Sequence, residues 1–502
     1  MLDVIGSALI QVLQPSTLLI MLLGICIGFI VGILPGLGGA VTLALMLPFT
    51  FGMEPVQGFA FLLGMWVVTS TAGDITSVLF GIPGEVTAAA AVLDGYPLTR
   101  KGQGGRALGA VLMSSAMGGL VGAVVLALTI TLIRPVILAL GPPEFFALTV
   151  IGLTFIVTLS GNSILKGFIM TAFGLLVALV GIDPQVGIPR FDFGQLYLWD
   201  GIGLIPVVVG LFGGAEVLQI MLSKSSIASS GGASEKLSGT ATGITDAFRH
   251  WLVVMRSGTI SVIIGMLPGL GSAIAQWVSY GQAKQSSKRP EMFGKGAIDG
   301  VIAAGASNNA ASAGQLIPTI AFGIPGGAAT AVLLGGFLIL GLNPGKEMLT
   351  THLDVTFSMV WITILANFIA VALAVIFIRP LTKLTKIQGP ILIPGLILLL
   401  VVGAYTANSR VEDIIVMLVA SAIGVGCLRW DWPRIPFLLA IVLGGFAETY
   451  LNLSISIFGS AWLTRPGVLI LGAVIVASLV YGVVGNRRSL KQPKPKKLAE
   501  TK

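Results

Sequence analysis

The stretch Gly32-Ile33-Leu34-Pro35-Gly36-Leu37-Gly38 returns 233 residues later as Gly265-Met266-Leu267-Pro268-Gly269-Leu270-Gly271. Both copies lie inside uncharged runs. Residues 4–53 and residues 257–283 contain no Asp, Glu, Lys, Arg or His. Proline removes a backbone donor and blocks a helix interior, and glycine adopts backbone angles that other residues avoid. Such a break at membrane depth frees amides and carbonyls that lipid cannot satisfy, so it must be buried in protein or line a polar cavity. Matched breaks in two halves point to a solute site between repeats.

Working outward, composition agrees with a membrane setting. Of 502 residues 55% are hydrophobic and only 10% charged, and mean hydropathy is +0.98; soluble domains carry about 25% charged residues. The 67 glycines suit closely packed membrane helices, which favour small residues at their contacts. The net charge of +8, much of it in loops and in the tail from Arg487 to Lys497, reads as positive-inside orientation and not as nucleic-acid binding. Cys26 and Cys427 lie in apolar spans without a motif and read as small packing residues, and two histidines argue against a His-rich metal site. No Walker A, Gly-x-Ser-x-Gly or His-Glu-x-x-His signature occurs, so the chain is not expected to be an enzyme.

The repeat extends well beyond its opening motif. Phe80-Gly81-Ile82-Pro83-Gly84 recurs as Phe322-Gly323-Ile324-Pro325-Gly326, Arg134-Pro135 as Arg379-Pro380, and Asn162-Ser163 as Asn408-Ser409. The glycine ladder Gly24, Gly28, Gly32 corresponds to Ser257, Ser261, Gly265, a small-xxx-small face in each half. The ordered series predicts a duplicated chain: a first membrane repeat over 1–222, a cytoplasmic linker over 223–250, a second membrane repeat over 251–485 and a basic cytoplasmic tail over 486–502. Glu216 and Glu448, paired by the repeat near segment ends, read as structural.

Loop charge tests the relative orientation of the halves. Loop 94–106 carries Arg100, Lys101 and Arg106, while its counterpart 336–348 has only Lys346 and Glu347. Loop 281–297 carries Lys284, Lys288, Arg289 and Lys295, while its counterpart 52–57 has only Glu54. Basic loops lie in the cytoplasm, so corresponding loops lie on opposite sides. The expected fold is an all-α polytopic membrane protein with two inverted-topology repeats and broken or re-entrant helices.

Four breaks then become the candidate site. Free amides and the positive end of a helix dipole favour anions, and the spans hold almost no Lys or Arg. The expected substrate-binding positions are Pro35, Gly36, Leu37, Gly38 and Gly39 at the first break, and Pro268, Gly269, Gly271 and Ser272 at the second. Gly81, Pro83 and Gly84 with Gly323, Pro325 and Gly326 form the other pair, and Asn308 and Asn309 complete the set. The bland reading is four tight packing turns, but their pairing by the repeat favours a site. Asp74 is the only charge between Pro55 and Gly84. An intramembrane acid is a functional candidate by default. With Thr71, Thr76 and Ser77 nearby, it is the expected coupling position for a cation, with Na⁺ held at Asp74 or a proton; the bland alternative is a helix cap. Glu85 reads as a complement to a helix N-terminus.

The stretches at 32–39 (Gly-Ile-Leu-Pro-Gly-Leu-Gly-Gly), 71–84 (Thr-Ala-Gly-Asp-Ile-Thr-Ser-Val-Leu-Phe-Gly-Ile-Pro-Gly), Asp94-Gly95-Tyr96-Pro97-Leu98 and Ala321-Phe322-Gly323-Ile324-Pro325-Gly326 resemble the large membrane subunit of the tripartite tricarboxylate transporters. The similarity covers roughly residues 1–485. The second copy departs from the first, with Gly271-Ser272 where the first has Gly38-Gly39 and no acid matching Asp74. The resemblance implies a multi-pass secondary transporter of the bacterial inner membrane, with its C-terminus cytoplasmic. It implies import of a small di- or tricarboxylate, driven by a Na⁺ or H⁺ gradient without other cofactors. It also implies two partners, a small integral membrane subunit and a periplasmic solute-binding protein. A homodimer is an assembly that this plan allows. An anion channel, or a carrier for another small organic anion, is the alternative reading.

Overall fold

Glycine and proline punctuate the apolar runs, and between them the chain is helical. The computed structural model describes residues 2–34, 37–159, 163–183, 185–222, 238–268, 271–377 and 389–489. Among these residues, six helices are long and apolar enough to cross a membrane. Regular strand is confined to one antiparallel pair, Gly181–Ile182 with Pro189–Arg190. The expected all-helical membrane architecture is therefore the observed one.

Two helices form the centre: Pro55–Phe80, here the first core helix, and Ile298–Phe322, the second. Each stops at a glycine in the left-handed region, Gly81 (φ 70°) and Gly323 (φ 68°). A side chain at either φ is strained, which is why the repeat carries glycine at both helix ends. The most apolar 18-residue stretch of the first core helix is completely buried although its mean hydropathy is only 1.3. The outer helices Pro15–Gly32 and Leu353–Ile376 reach 2.2 and 2.5 and are about half buried. The least apolar span lies innermost because lipid does not accept its polar groups.

The core helices run antiparallel. Gly58, near the start of the first, abuts Leu340 beyond the end of the second. At the other end, the Thr99 hydroxyl donates to the Val78 carbonyl (2.7 Å). In the same region Asp94 accepts from the amides of Gly294, Gly296 and Ala297 (2.8 Å each), just before the second core helix begins. The two basic loops thus meet, and Lys101 Nζ donates to the Lys295 carbonyl (2.5 Å).

Each small-xxx-small ladder is seated on the core helix of its own half. A Cβ at Gly28 would stand 2.6 Å from the Met65 carbonyl oxygen, and one at Gly32 would stand 2.7 Å from Thr69 Cα. In the second half Gly265 lies against the Ala311 carbonyl and Gly314 against that of Val262. The halves also exchange helices. Gly104–Ala139 packs on the second core helix through Gly118 and Gly122, and Leu353–Ile376 packs on the first. Residues 223–237 of the expected linker lie outside the described residues. Its last part is the helix Thr240–Arg249, held to Gly104–Ala139 by the Arg106–Asp246 ion pair (2.6 Å). Glu216 and Glu448 pair with Arg434 (2.9 Å) and Arg190 (2.7 Å) and tie distant segments together. Residues 490–502 of the expected tail lie outside the described residues.

Candidate functional site

At the first break, Pro35 and Gly36 lie outside the described residues. Leu37 is buried, Gly38 is extended, and the helix Gly39–Met46 starts directly after it. The first free amide of that helix is not empty-handed: Gly39 N–H donates to Glu85 Oε1 (3.1 Å), and the Ser70 hydroxyl donates to Glu85 Oε2 (3.3 Å). Glu85 follows the Gly81–Gly84 turn and reaches across to the other break. Gly84 makes that approach geometrically feasible. A Cβ there would stand 2.7 Å from Gly73 Cα and 3.0 Å from the Gly32 carbonyl oxygen. Pro83 is exposed on the turn, whereas Pro325 is buried.

The second break repeats the close approach and changes the chemistry. Gly269 lies outside the described residues. Pro268 is half-buried, and Gly271 (φ 69°) opens the helix Gly271–Ser286. A Cβ at Gly326 would stand 2.7 Å from the Gly265 carbonyl oxygen and 2.8 Å from Gln315 Cα. These contacts correspond, through the repeat, to Gly84 with Gly32 and Gly73. Gly327 stands where the first half has Glu85. Gln315 takes over as the bridging side chain and donates from Nε2 to Ser272 Oγ (2.5 Å). Gln315 Oε1 is buried without a partner, 2.6 Å from where a Gly327 Cβ would sit. Among the described residues no carboxylate reaches the start of this helix.

Between the breaks, the core helices enclose a polar band. Asp74, fully buried, accepts at Oδ2 from Asn308 Nδ2 (2.8 Å). The two protons of the Asn309 amide nitrogen are shared among three acceptors within reach, Thr71 Oγ1 (3.1 Å), Ser115 Oγ (2.9 Å) and Asn367 Oδ1 (2.6 Å). Asp74 Oδ1, Asn308 Oδ1 and Asn309 Oδ1 are buried and have no hydrogen-bond partner. The Thr76 and Ser77 hydroxyls do not join Asp74. Both turn back to the Gly73 carbonyl (2.9 Å each), as hydroxyls within a helix commonly do. Among the described residues no base approaches Asp74. A buried carboxylate next to unpaired amide oxygens calls for a proton or a small cation.

The structure therefore joins Asp74 and Thr71 of the first half to Asn308 and Asn309 of the second. It separates Thr76 and Ser77 from Asp74, and it places Gly81 and Gly323 at helix C-termini, where carbonyls and not amides are free. Sequence reading missed Ser115, Asn367 and the reach of Glu85 to Gly39. An amide inside the apolar span 355–378 was the available signal for Asn367. Nothing local announces the Glu85 contact, which joins residues 46 positions apart.

Comparison with known proteins agrees with this architecture. No solved structure matches the chain. A protein of Agrobacterium vitis described as an uncharacterized 52.8 kDa protein in the TAR-I ttuC' 3'region is 32% identical over 490 residues, covering 95% of each chain. A second from the same organism, described as an uncharacterized protein in the TAR-II ttuC' 3'region, is 29% identical over 232 residues, covering 45% of this chain and 96% of its own. The family model for the tripartite tricarboxylate transporter TctA family matches residues 18–439. With that match spanning both breaks and both core helices, the chain belongs to the tripartite tricarboxylate transporter TctA family.

Proposed function

We propose that this chain is the permease of a tripartite uptake system that imports a small di- or tricarboxylate across the bacterial inner membrane. In this reading a periplasmic binding protein delivers the solute, a small integral membrane subunit completes the assembly, and a Na⁺ or H⁺ gradient supplies the drive. The observation that carries it is that each Gly-Ile-Pro-Gly turn closes on the helix that leads into the break of its own half, while between the two antiparallel core helices Asp74 is held by Asn308 with no basic partner among the described residues. Antiparallel core helices, together with basic loops that meet at one end of them, support two inverted repeats with that end and the C-terminus in the cytoplasm. The substrate carboxylate takes the helix N-terminus at Gly271 and Ser272, where no carboxylate of the described residues competes. Asp74, with Asn308 and Thr71, takes the coupling cation. Release of that cation leaves an uncompensated buried charge and disfavours movement of the empty carrier, which couples the two fluxes.

Reconstitution tests this directly. Proteoliposomes with this chain, the small subunit and the binding protein should accumulate labelled di- or tricarboxylate only under an imposed Na⁺ or H⁺ gradient. Omission of either partner should abolish uptake at low substrate. Gradient-independent flux through this chain alone would establish a channel instead.

A further inference from the structure

A second concave feature lies away from the breaks, at the end of the molecule where the basic loops meet. It is a cavity of about 650 Å³ between the helices Gly104–Ala139, Thr240–Arg249 and Trp251–Gly265 and the loop that follows Ser286. Arg249, Arg256, Lys288 and Arg289 all line it. Among the described residues none of these four has an acidic partner. Arg106 is already held by Asp246 (2.6 Å), and Asp299 faces His250 (2.5 Å). Four exposed cations converge on this hollow from three segments, beside the single lining carboxylate of Asp299, and an anion with several oxygens can bridge them.

The setting identifies the anion. Leu252 (50% exposed) lines it, and Phe248 (54%) and Trp251 (54%), exposed apolar neighbours of the lining residues in sequence, stand beside it. Trp251 opens the apolar helix Trp251–Gly265, 15 residues long. Aromatic side chains in that position mark the membrane–water interface, the depth of lipid phosphates. Thr240–Arg249 buries Gly243, Asp246 and Ala247 against the protein and leaves Phe248 outward, as an interfacial helix does. We propose that this cavity is a binding site for the phosphate headgroup of an anionic phospholipid, with the acyl chains lying along Leu252 and Met255. Basic pockets between membrane helices bind phospholipid headgroups by this chemistry. The site would seat the helix that joins the two halves against the bilayer surface.

Native mass spectrometry of the purified full chain, titrated with phosphatidylglycerol or phosphatidylcholine, tests the proposal. Phosphatidylglycerol should bind at least about tenfold more tightly, and more weakly as salt rises. Arg256→Ala combined with Lys288→Ala should weaken phosphatidylglycerol about thirtyfold, since each Lys or Arg near anionic lipid contributes a factor of about five. Arg256→Lys should retain binding. The thermal midpoint in lipid-free detergent should be unchanged in all variants, because these side chains have no protein partner. Equal binding of the two lipids, or an unaffected double variant, would overturn the site. Inorganic phosphate that binds as well as the lipid and displaces it would overturn the lipid assignment in favour of a free phosphate ester.

Discussion

The two Pro-Gly-Leu-Gly breaks share a backbone and differ in their charge. Gly84 lies against Gly73 and Gly32, and Gly326 lies against Gln315 and Gly265, at positions related by the repeat. Onto that common frame the first half brings Glu85, whose carboxylate accepts from Gly39 N–H, while the second brings Gly327 and a neutral Gln315–Ser272 pair. A helix N-terminus attracts an anion in either case. In the first half the chain supplies that anion itself, and in the second it does not. The two breaks thus share a geometry and differ in whether a carboxylate of the chain sits at the helix start. The acid of the polar band follows the same division, because Asp74 is matched by Leu316.

The largest effect is expected at Asp74. Asp74→Asn retains the hydrogen bond from Asn308 to an oxygen and removes the charge. Gradient-driven uptake in proteoliposomes should fall about a hundredfold or more, with the protein still monodisperse by size-exclusion chromatography. Uptake with unchanged cation dependence would make Asp74 a structural group and erase the asymmetry of the polar band.

Next comes the transfer of the resident anion to the other break. Gly327 has extended backbone (φ −168°), which any residue adopts, and the atoms nearest a new Cβ belong to the flexible amide end of Gln315. Gly327→Glu should lower uptake about tenfold, because its carboxylate competes for the amides at Gly271 and Ser272. Gly327→Gln should inhibit less. Equal inhibition by both would show that bulk and not charge distinguishes the breaks.

The shared frame is tested by paired alanines. Gly84→Ala and Gly326→Ala each force a Cβ to within about 2.7 Å of backbone and should each cost about 1–3 kcal/mol by thermal unfolding in detergent. Losses that differ by more than that range would mean that the two turns are not equivalent.

The smallest effect is expected at Glu85. Glu85→Gln keeps an oxygen for Gly39 N–H and loses only the interaction of charge with the helix end. It should lower stability by about 1 kcal/mol, with uptake within about threefold of the parent. Loss of transport at unchanged stability would place Glu85 in the transport cycle and reverse its reading as a resident cap.

Much of the fold was determined by the sequence itself. Length, hydropathy and the absence of charge force helices through a membrane, because a long, continuously apolar segment satisfies its own backbone in lipid only as a helix. The paired Gly-Pro motifs mark where those helices must stop, since φ near 70° at Gly81 and Gly323 admits little else. The ladder Gly24-Gly28-Gly32 likewise announces close contact, although not with which helix. Tertiary structure alone decided the partners. That Asp74 meets Asn308, 234 residues away, that Asn367 closes on Asn309, and that Glu85 crosses to Gly39 depend on two antiparallel helices brought side by side. Local sequence specifies backbone angles and burial, while side-chain contacts between helices depend on their relative position and rotation, which are set only when the whole bundle packs.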